Sequence, residues 1–261
     1  MIHLFNCRSN TILFCQLFSS GQDANDSIVA DELSWLDLKL KSAKDKGKKV
    51  WLLMHAPPGA DIGTTAGHVV NGQIQSQNTS MMWWPAYQSS FLAILAKYPG
   101  LISLTLAGHT HMDEYRILPS SGALEITPAI SPWFGNNPAF KVFTISPDTL
   151  KPTDYSSLNC DLDTNPPQFN SYYTFSTAYS SQGLLDASLT QLTPVLVTNS
   201  AKQALYRGYY FSGNNSLTPV TYPPFGNSYN PITDTTWPVY WSGIGHMEQQ
   251  AIIDSVNSYP S

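Results

Sequence analysis

The chain has 261 residues, of which 42% are hydrophobic and 12% are charged, and its formal net charge is −5. The length allows one sizeable domain, or one domain with a smaller appendage, and the acidic balance argues against a nucleic-acid-binding surface, which needs a basic stripe. No apolar run approaches the roughly 20 residues that span a membrane, so the sequence predicts no transmembrane segment.

Composition and the N-terminal residues bear on the compartment in which the protein works. Charged residues make up about a quarter of a typical soluble domain, whereas here Ser, Thr, Asn, Gln and Tyr carry most of the polarity, a balance typical of exported proteins. We therefore predict an extracellular or periplasmic location. The short apolar stretch over residues 11–18 could belong to a signal peptide, but Gln16 interrupts it and a β-strand fits as well.

The three cysteines are too few and too scattered for a disulfide framework or a zinc ribbon. Cys7 and Cys15 lie close together in the sequence, and Cys160 lies far from both. One disulfide with one thiol left over and three separate thiols are both compatible with this arrangement.

Two helix–strand pairs occupy the first part of the chain. Residues 28–46 have apolar side chains at helical spacing, acidic residues early and lysines late, which predicts an amphipathic helix. Residues 49–54 form a short apolar run typical of a strand buried on both faces. A second helix is predicted over residues 85–98 and a second buried strand over residues 101–107. Three further strands are predicted over residues 114–118, 123–127 and 140–145. This order of elements predicts a layered α/β domain over residues 1–162.

The character of the sequence changes after about residue 163. Residues 165–167, Asn-Pro-Pro, are predicted to form a linker, and residues 163–261 a small C-terminal extension that is mostly helical and irregular. Helices are predicted over residues 184–192 and 246–256. A loop region rich in Tyr, Pro and Gly is predicted between them, over residues 206–240.

A bulky apolar patch, Met-Met-Trp-Trp at residues 81–84, follows a polar loop predicted over residues 61–80. The patch comes just before the second helix, so it is either a contact for a lipid or another organic group or the buried start of that helix. We favour the buried start, because most aromatic clusters belong to the protein core.

Three histidines follow the two buried strands of the predicted sheet. His55 comes directly after the first strand, and His109 and His111 come after the second. The carboxyl ends of strands form the ligand-binding edge of an open α/β sheet, and alternation places His109 and His111 on the same side if their segment is extended. Neutral imidazoles suit Zn, Fe, Mn or Ni. The pattern therefore predicts a metal site at this edge. The other histidines are interpreted as ordinary polar residues: His3, His68 and His246.

These motifs resemble those of a known family. Residues 55–59, His-Ala-Pro-Pro-Gly, and residues 108–114, Gly-His-Thr-His-Met-Asp-Glu, resemble the last two metal motifs of the calcineurin-like metallophosphoesterases. More closely, they resemble the acid-sphingomyelinase-like phosphodiesterase branch, whose serine-proline and asparagine-proline segment is similar to residues 131–140. Residues 9–12 and 33–36 resemble a strand and a helix of the same branch. The resemblance covers about residues 9–160 and implies part of that family's layered β-sheet and α-helix fold.

The resemblance also implies a mechanism and roles for residues. The family uses two divalent metal ions, most often zinc, bridged by a carboxylate, and a metal-activated water attacks phosphorus. Carried over by motif, His55 and His109 bind one ion and His111 binds the other. The resemblance also implies supporting or structural roles around the metal ligands for Asp113, Glu114 and Asn137. The implied substrate is a phosphate ester of a small molecule or a lipid headgroup.

Three earlier motifs of the family have no match in this sequence: Asp-x-His, Gly-Asp and Gly-Asn-His. The bridging carboxylate and the family's proton-donating histidine are therefore missing. The three imidazoles could hold one ion loosely, through His55 and His109, but not two, because catalytic zinc normally has three protein ligands. We expect weak or no activity from these residues alone.

Three explanations fit the missing motifs. The sequence is a truncated product whose complete form is an active phosphodiesterase and requires the missing N-terminal half, or it is a non-catalytic remnant or binding module, or a partner chain supplies the other ligands. We favour truncation, because the resemblance begins near the middle of the family's sheet and would leave an unpaired strand edge there.

Overall fold

The computed structural model describes residues 4–6, 10–15, 27–214, 220–221, 228–229 and 232–260. These residues form a mixed α/β structure, as predicted, around a six-stranded sheet. The strands of this sheet are β1 (Leu4–Asn6), β2 (Asn10–Cys15), β3 (Lys49–Met54), β4 (Ile102–Ala107), β5 (Glu114–Leu118) and β6 (Gly122–Ile126). Their order from edge to edge is β1-β2-β3-β4-β6-β5. The four central strands are parallel, and β1 and β5 are antiparallel at the two edges.

Helices α1 (Ser27–Asp45) and α3 (Pro85–Ala96) pack against each other, and α1 packs against β2 and β3. A short helix, α2 (Ile62–Ala66), and a 3-10 turn, Ser76–Asn78, lie between β3 and α3. The apolar sides of α1, α3 and the parallel strands meet in one cluster, which we call the aliphatic core. Its fully buried members include Leu36, Leu40, Val50, Leu52 and Leu95. Burial of these side chains supplies the main stabilisation of the first part of the chain.

The second part of the chain begins with a three-stranded antiparallel sheet. Its strands are β7 (Ala139–Ile145), β8 (Pro152–Cys160) and β9 (Phe169–Thr174), in that spatial order. The helices that follow are α4 (Phe175–Tyr179), α5 (Leu185–Thr198), α6 (Ser200–Tyr210), α7 (Trp237–Gly245) and α8 (Gln249–Asn257). A two-stranded ladder, β10 (Val220–Thr221) and β11 (Ser228–Tyr229), lies between α6 and α7 in the chain. None of the helices in the part of the chain that the structure describes is long and apolar enough to cross a membrane.

A second hydrophobic cluster, which we call the tyrosine core, joins β5, β8 and β9 to helices α4 to α8. Its buried tyrosines include Tyr115, Tyr155, Tyr173, Tyr206 and Tyr210. Buried polar groups need hydrogen bonds, and the core supplies several of them: the hydroxyls of Tyr155 and Tyr173 lie 2.9 Å apart, and the hydroxyl of Tyr115 lies 3.1 Å from that of Thr193. The tyrosine core takes residues from both sides of position 162, and the division of the chain there stays a prediction.

The bounds of the elements in the first part agree with the sequence analysis, but β3 is not buried on both faces as predicted, because its buried residues alternate with exposed or partly buried ones. Helices α1 and α3 and strands β3 to β7 lie within two residues of their predicted bounds at each end. Residues 11–15 belong to strand β2, which pairs in parallel with β3, whereas residues 16–18 lie outside the described residues. Cys160 is a buried free thiol, Cys7 lies outside the described residues, and Cys15 ends β2.

Several predictions for the second part are wrong. Residues 165–167 are not a linker but part of an exposed hairpin loop, because β8 and β9 pair across them with Cys160 opposite Phe169. The predicted loop region over residues 206–240 contains the end of α6 and the start of α7. The predicted helix 184–192 extends to Thr198, and α8 starts three residues later than predicted. Tyrosine-rich segments were interpreted as loops, whereas their rings fill the tyrosine core.

The predicted loop over residues 61–80 also contains regular structure. Helix α2 begins there because Asp61 caps it: its carboxylate accepts hydrogen bonds from the backbone N–H and the hydroxyl of Thr64, at 3.0 and 2.7 Å. An acidic side chain at this position satisfies a backbone donor that the helix leaves unpaired. The cap is a local signal that the sequence analysis missed.

Candidate metal-binding edge of the sheet

The ends of the two central strands bring two imidazole rings together. Strands β3 and β4 are parallel neighbours, and the N–H of Gly108 donates to the carbonyl of His55 at 2.9 Å, which joins the two chain segments just beyond the strands. Nε2 of His55 and Nδ1 of His109 lie 3.1 Å apart. The rings meet edge to face, with centroids 4.9 Å apart, and both side chains are exposed. The structure thus pairs these two histidines at the carboxyl edge of the sheet.

His111 takes a different position from the one that alternation implies. The segment is not extended, because both His109 (φ 74°) and His111 (φ 69°) adopt the left-handed conformation. The expectation of alternating side chains therefore does not apply to it. The ring of His111 lies against the ring of Phe134, with centroids 4.8 Å apart, and is partly buried.

The left-handed conformation at two histidines is a sign of a functional segment. Non-glycine residues held in this region store roughly 1–3 kcal/mol each and cluster at active sites and ligand clamps. Here the turn is held by local hydrogen bonds: Thr110 N–H donates to the Gly108 carbonyl at 2.9 Å, and Met112 N–H donates to the Thr110 hydroxyl at 3.3 Å. These hydrogen bonds offset the conformational energy of the two left-handed residues.

The electrostatic environment favours neutral imidazoles. Desolvation of the ring by the surrounding protein lowers the pKa of His109, the charge of His55 lowers it further, and the carboxylate of Asp61 opposes this shift. Burial likewise lowers the pKa of His111. Because a metal ion binds only the neutral imidazole, the lowered pKa values of His109 and His111 favour the form that can bind one. Without a metal ion, the facing nitrogens of His55 and His109 are at hydrogen-bond distance from each other.

The histidine pair fits two positions of a metal site. Two ligands of one tetrahedral zinc ion, with Zn–N bonds of about 2.0–2.1 Å, lie about 3.3 Å apart, close to the 3.1 Å between the nitrogens of His55 and His109. Among the residues that the structure describes, however, no three His, Cys, Asp or Glu side chains are grouped so that they could hold a metal ion. His111 does not complete a set with the other two.

Asp113 and Glu114 point into the protein rather than toward the histidine pair. The carboxylate of Asp113 lies 2.7 Å from the ammonium of Lys141, which lies 2.7 Å from the carboxylate of Glu125 as well. We call these three residues the ion triad; their side chains are at most 3% exposed. Asp113 also accepts a hydrogen bond from the hydroxyl of Tyr173 at 2.9 Å.

The charges of the ion triad balance only in part, because one ammonium faces two carboxylates, and burial raises the pKa of Glu125. Burial alone would lower the pKa of Lys141, but the neighbouring carboxylates of Asp113 and Glu125 raise it overall, so the lysine stays charged. Glu114, next to the triad, is also fully enclosed, and burial raises its pKa. The residues two and three positions after His111 therefore anchor its segment in the protein interior.

Asn137 also lies in the interior. Its backbone N–H donates to the carbonyl of Phe211 at 3.1 Å, and its side-chain oxygen accepts from the N–H of Leu162 at 3.5 Å. The first bond connects the segment after β6 to the end of α6, and the second connects it to the loop after β8. The supporting roles of Asp113, Glu114 and Asn137 remain predictions, and their positions agree with such roles.

The segment that follows His55 is held by residues that the sequence analysis missed. The indole N–H of Trp83 donates to the carbonyl of Ala56 at 3.1 Å, and the guanidinium of Arg116 donates to the carbonyl of Ala60 at 2.7 Å. Trp83 is 1% exposed, so most of the apolar patch 81–84 is the buried start of α3, as favoured, although Trp84 is 38% exposed. Two consecutive prolines signal that such a segment needs outside hydrogen-bond partners, but they do not identify them.

No family model matches the chain. The chain is similar to several curated phosphodiesterases at low identity. It is 28% identical to sphingomyelinase phosphodiesterase D of Dictyostelium discoideum over 166 residues. The aligned region covers 59% of this chain and 34% of that protein. It is 26% identical over 211 residues to acid sphingomyelinase-like phosphodiesterase 3b of Homo sapiens, over 74% of this chain and 43% of that protein.

A third relative has a different named substrate. The chain is 24% identical over 208 residues to a cyclic GMP-AMP phosphodiesterase of Mus musculus, over 74% of this chain and 44% of that protein. The chain thus spans 34% to 44% of the length of these three relatives. The similarities support the resemblance to acid-sphingomyelinase-like phosphodiesterases that the motifs indicated.

Proposed function

We propose that this chain carries the histidine side of a metal-dependent phosphodiesterase site of the acid-sphingomyelinase-like type, within the calcineurin-like metallophosphoesterases. The observation that carries the proposal is the approach of His55 Nε2 to His109 Nδ1, at 3.1 Å, where two parallel strands end. The similarity to curated phosphodiesterases supports the same reaction class.

The residues of this chain would bind and orient rather than transfer protons. His55 and His109 would hold one divalent ion, most readily zinc, since neutral imidazoles are its common ligands. The ion would supply positive charge that activates water and stabilises the negative charge developing on the phosphoryl group. His111, beside Phe134, would serve a second ion if the remaining ligands were present. Those ligands would come from outside the described residues or from a second chain.

A non-catalytic role is the second candidate, and a specific observation favours it. The described residues contain no group of three metal-ligating side chains, and two imidazoles alone leave half of a tetrahedral coordination shell to other ligands. On this alternative the chain binds a metal ion or a phosphate ester without hydrolysing it.

The proposed substrate is a phosphodiester of a small molecule or a lipid headgroup. The relatives are named for sphingomyelin and for cyclic GMP-AMP, which share the phosphodiester group and little else. The proposal therefore extends to the phosphodiester and not to a particular alcohol. The extracellular or periplasmic location remains a prediction from composition.

Zinc binding and hydrolysis by the whole chain test the proposal. Titration of the metal-free protein with Zn²⁺ should show binding that His109→Ala weakens by at least about a hundredfold, because even residues that only support a metal ligand affect affinity by about 10–100-fold. His68→Ala is the matched control, since His68 is exposed and follows helix α2 rather than a strand of the sheet. Calorimetry measures the affinity, and bis(p-nitrophenyl) phosphate measures hydrolysis.

The outcomes separate the two candidates. Zinc-dependent hydrolysis that disappears in His109→Ala supports the enzyme. Zinc binding that requires His109 but gives no hydrolysis supports the non-catalytic module. Equal zinc binding by wild type and His109→Ala would contradict the metal site itself.

A further inference from the structure

We propose that the buried side chains of Arg116, Gln88 and Trp83, which we call the loop clamp, position His55 opposite His109, with Arg116 as the main positioning residue. The loop clamp acts on the backbone of residues 56–60 and touches neither imidazole. The importance of the loop clamp for catalysis rests on the proposed function. Its effect on the positions of His55 and His109 does not depend on that function.

The clamped segment cannot hold itself in place. Residues 56–60 read Ala-Pro-Pro-Gly-Ala, so they carry no polar side chain, and the two prolines lack an N–H group. All five residues are buried. Because buried backbone carbonyl and N–H groups need hydrogen bonds, the polar groups of this segment depend on partners elsewhere in the fold.

Three side chains, two from α3 and the residues just before it and one from β5, supply most of these bonds. Trp83 donates to the Ala56 carbonyl. Gln88, on α3, accepts from the N–H of Gly59 at 2.5 Å, and the Gly59 carbonyl accepts from the N–H of Met82 at 2.9 Å. Arg116, on β5, donates from Nη1 to the Pro58 carbonyl and from Nη2 to the Ala60 carbonyl, the latter at 2.7 Å.

Arg116 is an unusual residue for its position. It is 0% exposed, and among the described residues it forms no ion pair with a carboxylate. Its Nε atom is also buried and makes no hydrogen bond there. Burial raises the pKa of Glu114 and the guanidinium charge opposes that shift, so this carboxyl balances the arginine in part without a direct ion pair. A buried charge without a direct ion pair is still unfavourable, so a role only in packing would be served better by an apolar side chain. The planar guanidinium donates to two carbonyls at once, and the single ammonium of a lysine could not reproduce this geometry.

Gly59 shows how closely the guanidinium and the loop fit together. A Cβ atom on Gly59 would lie 2.6 Å from Nη1 of Arg116, and the residue has φ +99°, a conformation that favours glycine. The loop and the arginine therefore leave no free space between them. A displaced guanidinium would change the path of the loop.

The path of this loop determines where the His55 ring lies. The His55 backbone is held on its N-terminal side by β3 and on its C-terminal side by the bond from Gly108 to its carbonyl and by the clamped segment that starts at Ala56. The ring itself is exposed, so packing around the ring contributes little to its position. The 3.1 Å approach to His109 therefore depends on the backbone on both sides of His55.

The test compares the two histidines by NMR in matched arginine variants. In protein with ¹⁵N-labelled histidine, Arg116→Lys should shift the side-chain nitrogen signals of His55 and His109. The matched control is Arg207→Lys, which makes the same change at an arginine of the tyrosine core that pairs with Asp234 and lies over Trp237. It should leave both histidine signals unchanged. Thermal unfolding of each variant shows whether it is folded.

A zinc titration adds the functional readout. We expect Arg116→Lys to weaken zinc binding about tenfold, as is usual when a residue that supports a ligand is changed. If the wild-type protein binds no zinc, the proposed function fails, but the histidine signals still decide on the loop clamp. Unchanged signals in folded Arg116→Lys would overturn the proposal.

A milder variant decides the case in which Arg116→Lys does not fold. Trp83→Phe keeps a buried ring and removes only the bond to the Ala56 carbonyl. A shift of the His55 signal in this variant supports the loop clamp, and wild-type signals for both histidines overturn it.

Discussion

The aliphatic core and the tyrosine core hold the protein together in different ways. The aliphatic core packs Leu36, Leu40 and Leu52 without polar atoms and positions β3 and β4, whose ends carry the histidine pair. The tyrosine core encloses hydroxyl groups and borders the ion triad. Apolar burial is nearly independent of direction, whereas each polar contact requires a fixed geometry. Apolar packing thus positions the strands, and directional polar contacts fix the turns that follow them.

The largest expected effect comes from removing the positive charge of the ion triad, which borders the tyrosine core. Lys141→Met should lower the free energy of unfolding by about 3–5 kcal/mol, because Asp113 and Glu125 would remain buried without a counter-charge. Urea denaturation measures the change. Lys151→Met is the control, since the Lys151 ion pair with Asp186 is partly exposed and should contribute at most about 1 kcal/mol. Equal losses in both variants would show that the ion triad is no more important than a surface pair.

A smaller change tests whether the hydroxyl groups stabilise the tyrosine core. Tyr173→Phe keeps the ring but removes the bonds to Asp113 and to the Tyr155 hydroxyl. Unfolding should become easier by about 1–3 kcal/mol, since two buried polar atoms lose a partner.

Tyr172→Phe provides the comparison for that variant. The Tyr172 hydroxyl donates to the Gly208 carbonyl at 3.2 Å and its side chain is only partly buried, so a loss of about 0.5–1.5 kcal/mol is expected. A Tyr173→Phe protein as stable as wild type would mean that this core, like the aliphatic core, is stabilised by apolar packing alone.

The smallest expected effect concerns the histidine turn, which lies between the two cores. Because His109 has φ 74°, His109→Gly should be about 1 kcal/mol more stable than His109→Ala, since alanine carries the left-handed penalty and glycine does not. Both variants lose the imidazole, so their difference isolates the backbone. Calorimetric unfolding measures it. Equal stabilities would indicate that the turn relaxes to an ordinary conformation when the imidazole is removed.

The aliphatic core and the histidine pair were accessible from sequence for one physical reason. Short runs of mostly apolar residues, such as β3 and β4, have few alternatives to burial in a sheet. Once both strands are parallel, their ends meet at one edge, so His55 and His109 could be placed near each other without knowledge of any side-chain contact.

The remaining features depend on contacts that no local pattern encodes. Tyrosine-rich helix α6 resembles a loop in composition, because a tyrosine is polar or apolar according to whether its hydroxyl finds a partner. Arg116 likewise has an ordinary position in β5, and only the folded structure shows the two carbonyls that it reaches. The left-handed turn at His109 and His111 overrode the alternation expected of an extended segment.

The bonds of Gln88 have a consequence for the order of events in folding. Its oxygen binds Gly59, only 29 positions away, whereas its nitrogen donates at 2.7 Å to the carbonyl of Met247, 159 positions away. Contacts between distant positions form late, because closing a long loop is entropically unfavourable. Paired strands β3 and β4 can therefore precede the finished histidine edge, which reaches its final geometry only when the segment between α7 and α8 has docked.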